Sequence, residues 1–181
     1  MKKLIALVGM PGSGKSATGN FLKQKGIAVL RFGDVTDDGL REKGLPLNEE
    51  NEKYFRENLR KELGMGAYAV KMEPKIKEAL QKSELVVLDG MYSWEEYQFL
   101  KSTFPELQVL CIYASPKIRY ERLTRREVRP LTKDEAMSRD VAEITNLNKG
   151  GPIAMADYMI QNEGSEENLK SQLLIFLHAI V

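Results

Sequence analysis

Gly9-Met10-Pro11-Gly12-Ser13-Gly14-Lys15-Ser16 is the stretch on which the reading of this 181-residue chain turns. It fits the pattern G-x-x-x-x-G-K-[ST], and its flanks have the right character. The apolar run Leu4-Ile5-Ala6-Leu7-Val8 precedes it, short and branched enough for a buried parallel strand. A helix-like segment over 17–25 follows, with Gly26 in the position where a left-handed residue closes a helix. Strand, glycine loop and helix together aim backbone N–H groups and a positive helix end at an anion. The glycines let the backbone curl round that anion without Cβ clashes. The pattern implies a nucleoside triphosphate held by Gly9, Met10, Pro11, Gly12, Ser13, Gly14, Lys15, Ser16 and Ala17. Lys15 is expected on the β- and γ-phosphates, and the Ser16 hydroxyl in the shell of a Mg²⁺ ion.

Outward from that loop, composition sets bounds. Hydrophobic residues make up 43% and charged residues 29%, ordinary for a globular domain. The net charge of +1 gives no global attraction for a polyanion, which argues against nucleic acid as partner. The single cysteine, Cys111, lies in the apolar run Val109-Leu110-Cys111-Ile112 and reads as a small buried side chain in a reducing compartment. The apolar run at the N-terminus is too short for a signal peptide, and no stretch approaches a membrane span. The expectation is a cytoplasmic protein, monomeric or weakly self-associating, without membrane contact.

Further strands are expected at 27–32, 85–88, 107–113 and 158–160, alternating with helical segments. That alternation implies an α/β three-layer domain with a five-stranded parallel sheet and right-handed crossovers. Residues 34–83 exceed what a crossover needs, so most of them are expected to form a helical acceptor-binding lobe. Its helices are read at 35–43, from after Asn48 to Gly64, and at 67–82, where Pro74 kinks or restarts the last. Ser93 with Glu96, and Thr132 with Glu135, are capping boxes opening two more helices. Residues 124–151 read as a small lid, and Gly150-Gly151-Pro152 as a break and plausible hinge. The core is then 1–33, 84–123 and 152–181, closed by a helix over 166–179.

Several residues have the chemistry phosphoryl transfer needs. Asp34, at the end of the second strand, is placed to accept a proton from an acceptor hydroxyl, to orient Mg²⁺, or to cap the following helix. Asp37 and Asp38 read as acids in the first turn of that helix. Asp89, ending an apolar strand, is the expected carboxylate behind the metal, or a turn cap with Gly90. Arg119, Arg122, Arg125, Arg126 and Arg129 crowd into eleven residues without a lysine, a choice suited to phosphate oxygens. Of these, Arg122 and Arg126 are the favoured pair. Arg41, Arg56 and Arg60 are candidates for an acceptor's phosphate or are ordinary surface residues, with Arg41 and Arg60 ahead because each neighbours a glycine-marked turn; Tyr92 and Trp94 are candidates for the wall of its pocket or for the core. His178 reads as structural. No Cys/His set has metal spacing, which leaves Mg²⁺ arriving with the nucleotide.

These residues resemble the P-loop nucleoside-monophosphate-kinase superfamily, and within it the dephospho-CoA kinases. The loop with proline in its third place is similar to that of adenylate kinases, as are Phe32-Gly33-Asp34 and Leu88-Asp89-Gly90. Glu121-Arg122-Leu123, Leu131-Thr132-Lys133-Asp134-Glu135-Ala136 and the segment Ala156-Asp157-Tyr158-Met159-Ile160-Gln161-Asn162-Glu163-Gly164 are similar to the C-terminal half of dephospho-CoA kinases. Where those kinases carry a lid glutamine, this chain has Arg139-Asp140-Val141-Ala142-Glu143. The likeness, shared with a group of archaeal nucleotide-kinase-like proteins, implies a sheet order 2-3-1-4-5 and ATP with Mg²⁺. It also implies Asp34 as base, Arg126 on the transferring phosphates and Asn162 near adenine. The function expected is ATP-dependent transfer to a small nucleotide-like acceptor, dephospho-CoA first and a nucleoside monophosphate second. The reading from another class is a slow ATPase acting as a nucleotide-dependent switch.

Overall fold

A computed structural model describes residues 2–127 and 130–180. In chain order its elements are β1 (Lys3–Val8), α1 (Lys15–Gln24), β2 (Ala28–Arg31), α2 (Gly33–Glu42), α3 (Glu49–Leu63), α4 (Ala67–Lys82) and β3 (Leu85–Asp89). There follow α5 (Trp94–Thr103), β4 (Gln108–Tyr113), α6 (Pro116–Arg125), α7 (Lys133–Leu147), α8 (Gly150–Ala154), β5 (Tyr158–Gln161) and α9 (Glu166–Ile180). Among the described residues the five strands form one parallel sheet in the order β2-β3-β1-β4-β5. The fold is that of the P-loop kinases.

The pleat explains the apolar runs. Along β1, Leu4, Ala6 and Val8 face one side and Ile5 and Leu7 the other, and each side has its own buried cluster. Met72 and Ile76 of α4 and Tyr97 and Leu100 of α5 cover the first side. Phe21 and Leu22 of α1 and Leu169, Leu173 and Phe176 of α9 cover the second. With helices on both faces the middle positions of the three inner strands are buried, each large side chain contributing roughly 1.5–3 kcal/mol, while the border strands β2 and β5 are mostly half-buried or exposed. In register, Leu7 lies beside Asp89 and Val8 beside Cys111. The glycine loop and the Asp89-Gly90 turn therefore leave the sheet together at its C-terminal edge, where such sheets bind ligands.

Local signals hold where they are strongest. Asn48 caps α3 by accepting from Asn51 N at 2.9 Å, and Gly64 ends that helix at φ 78°. Both capping boxes form. Three expectations change. Helix α2 begins at Gly33, so Asp34 is the first-turn acid and Asp37 and Asp38 lie further along. Helix α4 runs unbroken through Pro74, because the Val70 carbonyl that loses its partner lies on the solvent side, where Val70 is 37% exposed. Gly150-Gly151-Pro152 forms α8 rather than a break. Pro152 is buried, and a Cβ on Gly151 would lie 2.6 Å from Trp94 Cε3, so close packing and not mobility explains this glycine. Within 34–83, α2 and α3 reach the main core through Val35 and Leu59, and α4 supplies Ala69, Met72 and Ile76 to it.

Candidate active site

The loop is a cradle shaped by its glycines. Gly9, Gly12 and Gly14 have φ of 144°, 78° and 107°, conformations side chains resist. A Cβ on Gly9 would lie 2.3 Å from Ile112 O, and one on Gly14 2.2 Å from Asn162 Nδ2. Two side chains brace the loop from behind. Asn162 Nδ2 donates to Ser13 O at 2.8 Å, and an Arg119 guanidinium nitrogen donates to Pro11 O at 3.0 Å. No side chain caps α1, which leaves its first N–H groups to an anion. Lys15 Nζ donates to Gly9 O at 2.6 Å and Met10 O at 3.1 Å, folded back across the loop. Burial, reinforced by the nearby Lys149 charge, pulls the Lys15 ammonium down to about 7. A polyphosphate fits this cradle: it matches the amides in charge and would reprotonate the lysine.

Three residues bear on a metal. Ser16 is exposed in the first turn of α1. Asp89 ends β3 beside the loop strand; burial pushes its carboxyl up, with the Lys15 charge the main opposing effect. Asp34 lies beyond it, on α2 after the outer strand β2, held by Arg31 at 3.2 Å and 43% exposed. No group of three or more His, Cys, Asp or Glu side chains able to hold a metal ion occurs among the described residues. The donor set suits a Mg²⁺ ion that brings phosphate oxygens with it: Ser16 and Asp89 directly or through water, Asp34 on the far rim.

A cavity of about 790 Å³ opens between α2, α3 and α7. Arg56, Arg60, Tyr92, Glu96, Arg139 and Glu143 are among its walls. Arg56 is tied to Glu49 at 2.9 Å and Glu52 at 3.4 Å. Arg60 lies 5.5 Å over the Tyr68 ring, and its Nε is buried with no hydrogen-bond partner. Burial pushes the Tyr92 hydroxyl up to about 12. It also pushes the Glu96 carboxyl up to about 7, although Glu96 accepts from Tyr92 N at 2.6 Å and Ser93 N at 3.1 Å. Asp37, read as a helix acid, lines the cavity. Arg41 does not: it is exposed and paired with Asp38 at 3.0 Å, on the turn of α2 that faces solvent. Trp94 stacks on Tyr97 at 5.1 Å and belongs to the core, so of the two aromatics only Tyr92 reaches the cavity.

The arginine cluster divides by burial. Arg119 is 4% exposed and grips both Asp140 oxygens, at 2.9 and 2.5 Å, while its Nε donates to Ala114 O at 3.1 Å. Tyr120 donates to the same carboxylate at 3.0 Å. One guanidinium thus joins the glycine loop to α7. Arg122 and Arg126 line a second cavity of about 390 Å³ with Ile118, Glu163 and Gly164, to which no residue of the glycine loop contributes. Arg122 donates to Gly164 O at 3.3 Å, and another of its nitrogens is buried without a partner. Arg129 lies outside the described residues. Asn162, expected near adenine, has its amide nitrogen committed to the loop. Sequence reasoning missed the bracing role of Arg119 and the buried Glu143 and Lys149, whose positions depend on how α7 packs. The short spacing from Asn148, a residue tolerant of left-handed backbone, to Lys149 was the only local hint.

The comparisons with known proteins bear on the family and the fold. A family model described as AAA domain matches residues 5–146. A UPF0200 protein of Pyrococcus abyssi is 37% identical over 182 residues, spanning 98% of this chain and 97% of its own length. A shikimate kinase from Acinetobacter baumannii, solved in complex with shikimate, superposes with a TM-score of 0.59 at 18% identity, covering 99% of this chain and 94% of its own. A gluconokinase from Sinorhizobium meliloti does so with a TM-score of 0.58 at 17% identity, covering 98% and 93%. At such identities the structures share the fold alone.

Proposed function

The chain belongs to the AAA-domain family and, with its archaeal relatives, to the UPF0200 proteins, and from that premise we propose an ATP-dependent small-molecule kinase. The observation that carries this reading is the juxtaposition of two features at one sheet edge. An anion cradle with a half-buried lysine stands beside a cavity of about 790 Å³ walled by residues inserted after β2 together with Tyr92, Glu96 and residues of α7. A cavity of that size suits a nucleotide-like acceptor better than a small alcohol. Dephospho-CoA, which combines a nucleotide with a free hydroxyl, is the leading acceptor.

In the proposed reaction the acceptor hydroxyl oxygen attacks the γ-phosphorus, and the bond from that phosphorus to the β–γ bridging oxygen breaks. Asp34 takes the hydroxyl proton, and ADP leaves with the bond's electron pair. Lys15 swings from the loop carbonyls onto the β- and γ-phosphates. Arg122 and Arg126 balance charge on the nucleotide side, Asn162 fixes the loop, and Arg60 with Tyr92 holds the acceptor. Ser16 and Asp89 would hold a Mg²⁺ ion, which would supply neutralising charge at the phosphates. A nucleoside monophosphate is the second reading, favoured by the cavity arginines Arg31, Arg56, Arg60 and Arg139, which match an acceptor phosphate.

The test is transfer from labelled ATP to a panel of dephospho-CoA, nucleoside monophosphates and small alcohols, with Asp34→Ala alongside. Labelled CoA from the wild type, and none from the variant at unchanged ATP affinity, is expected. Full turnover by the variant would reject Asp34 as base, and an unlabelled panel would reject the kinase.

A further inference from the structure

The junction of α7 and α8 buries a lysine the packing does not require. Lys149 is 1% exposed, directly after Asn148, whose φ of 50° reverses the chain at the helix end. Its Nζ is ion-paired with Glu143 and lies 4.4 Å above the Tyr92 ring, and both partners line the acceptor cavity. Glu143 is shared, since Arg139 Nε also donates to it at 3.1 Å. Lys15 is near enough that Lys149 is the strongest single charge acting on it, while Asp89 and Glu143 act in the opposite sense.

Around this point Lys15 and Lys149 meet the carboxylates of Glu143 and Asp89, while Arg139, half exposed on the cavity wall, is a further partner of Glu143. Burying ammonium groups is costly unless each is paired, and a methionine would fill the volume of Lys149 without that cost. Two ammonium groups, Lys15 and Lys149, thus lie between the glycine loop and the cavity, where an anion would meet both. Tyr92 offers only its ring face, and Glu143 keeps Arg139 as a partner if Lys149 moves away.

We propose that Lys149 is a second phosphate-binding lysine of this site, meeting the γ-phosphate of the nucleotide from the acceptor side while Lys15 meets it from the loop side. The inference rests on the kinase reading and assigns a residue to it. Glu143 holds the ammonium in reserve, and the phosphate draws it off the carboxylate. ADP, which lacks the γ-phosphate, leaves the Glu143 pair intact.

Titration calorimetry with a non-hydrolysable ATP analogue and with ADP tests this on wild type, Lys149→Met and Glu143→Gln. Lys149→Met should weaken the analogue about tenfold or more and leave ADP within about twofold, the loss of one charge-assisted hydrogen bond. Equal effects on both nucleotides, or none, would overturn the assignment. If Lys149→Met does not fold, Glu143→Gln decides: freeing the lysine should favour the analogue over ADP, and an unchanged ratio would overturn it. Wild-type protein that binds neither nucleotide would fail the kinase reading itself, a result distinct from either variant outcome.

Discussion

Arg119 has four acceptor atoms and no exposed surface to spare. Replacing it by methionine would leave Asp140 buried, with only the Tyr120 hydroxyl, and Pro11 O without its donor. Breaking a buried ion pair from one side costs about 3–5 kcal/mol, so Arg119→Met should lower the urea midpoint markedly. Adding Asp140→Leu should recover much of that loss, because the stranded charge goes with it. A second residue-scale prediction concerns Gly14. Its φ of 107° and the Asn162 amide 2.2 Å from any added Cβ leave no room, so Gly14→Ala should abolish nucleotide binding in equilibrium titration. The glycines and Lys15 were legible from the sequence because their chemistry is local. Arg119 was not: five arginines in one short segment look alike until burial separates them.

Helix α5 joins element geometry to pH. Glu96 closes its capping box while buried at the cavity wall, with its carboxyl raised to about 7 against an ordinary 4.5. The folded protein therefore holds a proton on Glu96 that the unfolded chain has released across pH 4.5 to 7. The stability this group contributes is full below that window and falls as pH rises through it. Glu96→Gln should flatten that part of the melting-temperature profile, measurable by calorimetry between pH 5 and 7. At the other end of the site, α7 closes on Asn148 at φ 50°, where glycine is less strained. Asn148→Gly should be neutral or stabilising by up to about 1 kcal/mol in urea titration. Caps and stops were readable because each is a pattern of three or four residues. The break expected at Gly150-Gly151 is helix α8 instead, and the Trp94 indole, fifty-odd positions earlier, sets what fits there.

Across the molecule, ligand and lid share one linkage. Because Arg119 ties the loop to α7, a bound ATP analogue should slow amide exchange over residues 133–154 as well as over the loop itself. Slowing confined to residues 9–16 would show that the linkage carries no energy. The sheet and its order follow from buried apolar runs and a family likeness, and both were readable. The large cavity was not, since its wall joins Arg56 and Arg60 of α3 to Arg139 and Glu143 of α7, which no spacing in the chain relates. The sheet's outline has one more consequence. Its two border strands, β2 and β5, are four residues each, against five or six for the inner three, and β2 ends on Arg31. Open borders invite another chain to extend the ladder, and short or charged ones deny it the length to do so. Fibrillar stacking by strand addition is thus discouraged by the trim of the sheet itself, whatever occupies the catalytic edge.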